Sequence, residues 1–463
     1  MSFTVETFGN AIVQLCENGE PILTTDPWLT GTAYFGSWAL ERPLTPTQMQ
    51  RAKDSAFLWI SHGHPDHLHA ESLATLPRGK TILLPDHYHP EIRDTLIGDG
   101  FDVRVLPYKK WVKLNDHVEV LCLDNWNQDA VLVIRAGDAL LINLNDSPLF
   151  GEGAFLRSLV RRHPNKKTYL FALCAVDADM INFVNANDQR VNGDPDERKP
   201  GAVWTVARIA DYLGVSTYCM SSSQHKYVRR DSIWANPYRL GWEDVSSHWS
   251  RPNIRVAEPY VSIDLTSGAI TPAPAPKTAE PDAIAEGDDW NEKLTGDEWS
   301  AVEAFFRRFE TIRDKIDFIA VTVGGEMREF ALNERGRTGP RAARRGFRFS
   351  APRRSLVDCV TYGYFDDLLI GNFMKTELIN TSLYPNFSPL VAKLGGNAKV
   401  FTSADYRRFW RRYFRRSPIV LSRYFLAQLS GDHLVPKART LADRLGVKPP
   451  LKRIYRRLLG DPI

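Results

Sequence analysis

Cysteine is scarce in this 463-residue chain: five residues, Cys16, Cys122, Cys174, Cys219 and Cys359, with no CxxC pair. An odd, widely spaced set excludes a disulfide scaffold, a zinc knuckle and an iron–sulfur cluster. Long apolar runs are also missing; none reaches the about 20 residues that span a bilayer. The first residues, MSFTVETFGN, have neither the basic start nor the apolar core of a signal peptide. No nucleophile elbow, P-loop or GxGxxG turn stands at a strand–helix junction. Gly324–Gly325 and Gly395–Gly396 read as turns. A reducing cytoplasm is the compartment these absences imply.

What is present is an ordinary globular composition, 43% hydrophobic and 25% charged, over a length that suits two or three domains. The net charge of +4 conceals an asymmetry. From Phe401 onward there are 15 Lys/Arg and 4 Asp/Glu, so the chain before it is acidic.

Short β-type runs open the chain: Phe3–Glu6, Ala11–Leu15, Pro21–Thr25 and Ala56–Ile60. Thr81–Leu84, Val103–Leu106, Val118–Leu123, Ala130–Ile134, Ala139–Leu144, Lys167–Leu173 and Ser216–Met220 continue the series. Helical spacing intervenes near Glu71–Leu76 and Val203–Tyr212. Two clusters of strands interrupted by helices predict a layered α/β fold over residues 1–270. A Pro/Ala-rich acidic linker follows at 271–292, expected to be extended and solvated. A smaller α+β domain then covers 293–400, with a helix at Asp297–Phe309 and strands at Phe318–Val323 and Glu329–Leu332. Gly363–Met374 reads as a core-facing amphipathic helix carrying Phe365, Leu368, Leu369 and Phe373. The basic stretch Arg335–Arg354 reads as a mobile loop, and 401–463 as a basic helical tail.

The chemistry concentrates in SHGHPDHLHA, Ser61–Ala70, directly after an apolar strand. Histidine nitrogen and aspartate oxygen suit borderline and hard divalent metals. A loop leaving a buried strand can aim alternate side chains at one point, so His62 and His64 can hold one ion and Asp66 and His67 a second. A merely histidine-rich polar loop is the alternative, and the full HxHxDH string argues against it.

HxHxDH after a hydrophobic strand resembles the signature of the metallo-β-lactamase superfamily. That resemblance implies a four-layer αββα sandwich over roughly the first 270 residues. Asp26 in TTDPWLTG resembles the early aspartate that supports the metal loop. Asp146 in LLINLNDS sits where the family places its metal-bridging aspartate, and His225 in SSSQHKY is the candidate last ligand, with His248, His87 and His89 as rivals. Asp66 and Asp146 are the expected catalytic groups, and Asp26 and His69 the expected supports behind the ligands. The family's third histidine for the first metal is missing. The region Leu123–Leu132 reads LDNWNQDAVL, so Asn125, Asn127, Gln128 or Asp129 would replace it. An oxygen ligand there favours iron or manganese over zinc.

Thr25–Pro43, Leu58–Leu73 and Val105–Asp124 resemble the catalytic, non-Rieske part of CMP-N-acetylneuraminic acid hydroxylase. This implies a non-heme diiron monooxygenase that hydroxylates a small molecule, in that family a sugar nucleotide, with O2. The chain shows no pair of CxH and CxxH motifs, so electrons would come from a separate reductase or ferredoxin. The HxHxDH and DPW segments also look like lactonases and N-acyl-phosphatidylethanolamine phospholipases. That implies instead a zinc- or manganese-dependent hydrolase of an ester, lactone or phosphodiester, with Asp66 orienting or deprotonating a metal-bound water. A metal-poor interaction scaffold is the third reading. Two strands and a helix in the smaller domain faintly resemble a sterol-carrier domain, which would imply an apolar pocket or a dimer surface. In the tail, YRRFWRRYFRR (Tyr406–Arg416) suits an anionic membrane surface at the inner face of the membrane or an acidic partner. Packing of its aromatic stripe on the domain is the plain alternative. Nucleic acid is not expected, since no recognised binding motif accompanies the charge.

Overall fold

The computed structural model describes residues 1–429, except 164–166, 177, 179, 180, 192, 193, 275, 277–286 and 334–342. Antiparallel pairing of Phe3–Phe8, Ile12–Glu17 and Glu20–Thr25 starts an eight-stranded sheet, and Phe57–Trp59, Thr81–Pro85 and Asp102–Leu106 extend it in parallel. Val261–Asp264 and Ile270–Pro272 close its other edge. A seven-stranded sheet centres on Ala139–Asn145, flanked by Ala130–Ala136 and Lys167–Ala172.

The two sheets face each other across a dry interior. Val5, Leu15, Leu23 and Trp59 of the first meet Val120, Leu132, Leu141 and Phe171 of the second. The outer face of the first sheet is covered through Ala52 of helix Pro46–Asp54 and Leu96 of helix Glu91–Gly98. Helices Gly153–Arg162 and Pro195–Leu213 cover the second through Leu156, Val160, Val203, Val206 and Ala210. The result is helix, sheet, sheet, helix, a mixed α/β architecture consistent with the metallo-β-lactamase-like layering expected from the sequence. The strands expected in residues 1–270 are found, because apolar residues buried on both faces leave little freedom of register.

A second core gathers around a five-stranded sheet ordered Phe183–Val184, Lys375–Ile379, Gly346–Ser350, Phe318–Val323, Glu326–Ala331. Helix Gly296–Arg307 opens with a capping box between Thr295 and Glu298. It buries Trp299, Val302, Phe305 and Phe306 at helical spacing. Phe347, Phe349, Phe365 and Phe387 fill the centre of this domain.

Three expectations of organisation change. Gly346–Ser350 is an inner strand rather than part of a loop: Phe347 and Phe349 alternate inward while Arg348 points out to Glu377. The rest of the Arg335–Arg354 stretch up to 342, like half of the 271–292 linker, lies outside the described residues. The edge strand Phe183–Val184 comes from within the first domain, so the boundary at 270 does not separate the two cores. Helix Ser403–Arg416 is likewise integrated rather than a detached tail. Phe409 and Tyr413 enter the second core, Tyr413 accepts a hydrogen bond from Gln128, and Arg412 donates to the carbonyls of Asp86, His87 and Tyr88.

The firmest tie of that helix is Arg416, whose guanidinium pairs in bidentate fashion with the buried carboxylate of Asp124. Removing one partner of such a pair leaves a charge stranded in a low-dielectric interior. We expect Arg416→Met to lower stability by about 3–5 kcal/mol, read as the shift of the denaturation midpoint. Adding Asp124→Asn should recover a large part of the loss, and no recovery would mean the helix is held by its aromatic face alone.

Candidate metal centre

The loop Ser61–Ala70 leaves the eight-stranded sheet at strand Phe57–Trp59, and a backbone bond from Asp26 N to Trp59 O (2.7 Å) brings Asp26 beside it. Asp26 adopts φ 42°, a left-handed conformation that non-glycine residues hold only when their surroundings fix it. Its Oδ1 accepts from Ser61 N (2.8 Å) and Ser61 Oγ (2.9 Å), and its Oδ2 stands 3.2 Å from His67 Nδ1. From the facing sheet, Asn145 ends its strand at φ 45°. Its side chain donates to Ala130 O (2.8 Å) and accepts from Asp146 N (2.7 Å), which turns Asp146 toward the loop.

Five donor atoms converge where these elements meet. His62 Nε2 lies 3.0 Å from His64 Nδ1 and 3.9 Å from Asp146 Oδ2. His67 Nε2 lies 3.3 Å from Asp146 Oδ2 and 3.3 Å from Asp66 Oδ2. Donor atoms of His62, His67 and Asp146 fall within 4.8 Å of one another. The opposite ring nitrogens are tied outward: His62 Nδ1 to Ser61 Oγ (2.9 Å), His67 Nδ1 to Asp26, and His64 Nε2 to Asp366 Oδ2 (3.1 Å). Asp66 is fixed by Tyr34, whose hydroxyl donates to Oδ1 (2.5 Å), and by Asn10, whose amide donates to Oδ2 (2.7 Å).

The electrostatics favour a cation. Burial opposes charge on His67, yet Asp66, Asp146 and Asp26 overcome it and hold its pKa well above the usual value. Burial would raise Asp66, but His67, His64 and the Tyr34 hydrogen bond hold it well below the carboxylate range. His62 is driven down by burial and by His67, His64 and Lys393 nearby. Among the described residues, His67 Nε2 makes no hydrogen bond despite its two carboxylate neighbours, and Asp146 Oδ1 is also buried without one. Buried polar atoms left unsatisfied in this way, converging from two sheets, fit a metal.

The other expected residues fall around this cluster. His225, on strand His225–Tyr227, stacks on Trp38 with ring centroids 3.3 Å apart, and neither ring nitrogen has a hydrogen bond among the described residues. It lines a cavity of about 240 Å³ together with His64, Asp146, Asn127, Asp129 and Lys393. Of the proposed substitutes for the missing histidine, Asn127 and Asp129 reach that cavity and bond to each other (2.8 Å). Asn125 donates instead to Ser147 Oγ (2.8 Å), and Gln128 serves Tyr88 and Tyr413. His69 does not stand behind the ligands: it caps helix Ala70–Ala74 through Ser72 and bonds Thr32 O (3.1 Å). The rivals His248 and His87 lie elsewhere. His248 is exposed and bonds its own helix, and His87 bonds Ser61 O (3.2 Å) behind the loop.

Sequence reasoning missed Asp366 and Lys393. Asp366 starts the short helix Asp366–Ile370 of the second domain, and Lys393 Nζ lies 3.0 Å from its Oδ2. The apolar spacing of Gly363–Met374 is indeed buried in the second core. Two adjacent aspartates in that apolar helix were the available signal, since buried carboxylates require partners.

No family model matches the sequence. A stretch of 137 residues is 27% identical to cytidine monophosphate-N-acetylneuraminic acid hydroxylase of Danio rerio, covering 28% of this chain and 23% of that protein. The chain thus matches about a quarter of its curated relatives' length. Among solved structures, isothiocyanate hydrolase from Delia radicum gut bacteria superposes over 59% of this chain and all of its own, at 14% identity and a TM-score of 0.36. The β-hydroxylase CmlA superposes over 48% of this chain and 46% of its own, at 17% identity and a TM-score of 0.33. Likenesses at this level do not separate hydrolase from hydroxylase.

His87 gives this centre's surroundings a pH limit. Burial lowers its pKa to about 4, so the folded protein keeps it neutral while the unfolded chain protonates it near 6.5. Stability is therefore fully present above pH 6.5 and declines as pH falls toward 4, by roughly 3 kcal/mol from this residue at 1.4 kcal/mol per pH unit. We expect His87→Gln to flatten the loss of thermal midpoint between those pH values; an unchanged slope would assign it to other groups.

Proposed function

We propose that this protein is a metal-dependent hydroxylase using iron and O2, with two ions held by His62, His64, Asp66, His67 and Asp146, and with His225 completing the set. The observation that carries the reading is the cavity wall beside His64. Asn127 and Asp129 stand there in place of a histidine, and oxygen donors shift preference from zinc to iron or manganese. The sequence likeness to the sialic-acid hydroxylase over 137 residues supports it. Bound iron would supply the activation of O2.

The chain's own groups supply the rest. Asp146, whose Oδ2 lies 3.9 Å from His62 Nε2 and 3.3 Å from His67 Nε2, would be the carboxylate shared by the two ions. His67, His64 and the Tyr34 hydroxyl keep Asp66 ionised, and the bonds from Tyr34 and Asn10 hold it in place. Trp38, Tyr227, Tyr238 and Tyr384 wall the cavity and exclude water from a small substrate, while Lys393 and Arg239 give it cationic points for an anionic group. Electrons would arrive from a separate reductase or ferredoxin. Arg407, Arg411 and Arg415, exposed on helix Ser403–Arg416, offer an acidic donor protein a basic face.

Elemental analysis of protein purified without added metal tests this reading. Near-stoichiometric iron, lost in His64→Ala and Asp146→Ala, with O2 uptake on adding a reductant, is the expected result. Zinc or manganese lost in the same variants, with turnover of ester or phosphodiester probes in the absence of O2, would replace it with a hydrolase. Absence of metal from all three proteins would leave the scaffold reading.

A further inference from the structure

The three histidines of the loop are oriented in two different ways. His62 and His67 are held by Ser61 and Asp26, which belong to the same sheet end as the loop itself. His64 is held from the other domain. Its Nε2 faces Asp366 Oδ2 at 3.1 Å, across 302 positions of sequence, and both side chains are buried.

An imidazole that binds a metal through one nitrogen must carry its proton on the other. With Nδ1 of His64 turned toward His62 Nε2, the proton belongs on Nε2, and Nε2–H then needs an acceptor. Lys393 Nζ, 3.2 Å away, is a donor only and cannot serve. Asp366 is the acceptor within reach. Lys393, 3.0 Å from the same carboxylate oxygen, keeps that carboxylate charged where burial alone would penalise it.

The short helix that carries Asp366 is fastened to the first domain just past its C-terminal end. Ser37 Oγ donates to Gly371 O (2.6 Å), Asn372 Nδ2 donates to Tyr227 OH (2.9 Å), and the Arg229 guanidinium lies 3.9 Å over the Phe373 ring. These contacts fix the carboxylate against the loop rather than leaving it to a hinge between domains.

We propose that Asp366 is a positioning residue of the metal centre: it accepts the Nε2 proton of His64 and so presents Nδ1 to the metal, and the second domain is thereby part of the site. The inference rests on His64 being a ligand, as in the function proposed above. It goes further by assigning the tautomer of His64 to a residue outside the metallo-β-lactamase-like part.

The test is metal binding by the full chain, measured with Zn(II) alone by chelator competition and by bound ions per chain, with near-UV dichroism as the folding check. Asp366→Ala should weaken one of the two ions by about 10–100-fold, the usual effect of losing such a support. Asp366→Glu should restore much of the loss. Lys393→Met should lose less than Asp366→Ala, because the carboxylate, though its charge is less supported, still faces His64. The double variant Asp366→Ala/Lys393→Met removes the complication of a stranded ammonium and should remain weak. Wild-type affinity in the double variant would overturn the proposal, as would equal losses in Lys393→Met and Asp366→Ala, which mark a purely structural ion pair. Retention of both ions by His64→Ala would instead refute the ligand reading itself, separately from the role of Asp366.

Discussion

The arrangement depends on charge that the protein alone does not balance. Asp26, Asp66 and Asp146 all approach His67, whose two nitrogens stand within 3.3 Å of their oxygens. One protonated imidazole offsets part of that negative charge, and a divalent ion offsets more. Much of the local structure serves to keep the carboxylates in place: the left-handed Asp26, the Asn145 bracket behind Asp146, and the Tyr34 and Asn10 bonds to Asp66. Each contact costs conformational freedom, and a bound cation would offset the negative charge they gather.

The first domain was legible because its signals are local. Apolar runs fix strands, and HxHxDH after one of them fixes where the candidate ligands emerge. Asp146 could be singled out because it follows a long buried strand, Ala139–Asn145. What stayed hidden depends on long-range contact. The phenylalanines of Gly346–Ser350 were masked by the arginines around them, although their alternation is the mark of a strand. Asp366 was masked by the apolar stripe in which it sits. His69 looked like a support for the ligands by proximity in sequence, but its ring is consumed in capping the next helix.

The basic helix shows both readings of an amphipathic pattern at once. Phe409 and Tyr413 pack inward as the plain alternative held, and Arg412 and Arg416 are spent on the first domain. Arg407, Arg411 and Arg415 remain on the outer face. A single 14-residue helix therefore works as a clamp on one side and leaves a cationic surface on the other.

The strand Phe183–Val184 has a consequence for how this molecule can be taken apart. It leaves the first layer pair, joins Lys375–Ile379 and returns, so the two hydrophobic cores share one thread. A chain truncated at residue 270 would lose the partner of that strand and bare the ledge on which Phe373 and Gly371 rest. Unpaired strand edges and newly bared apolar surface favour self-association. Residues 1–270, expressed alone, should therefore come out as aggregates.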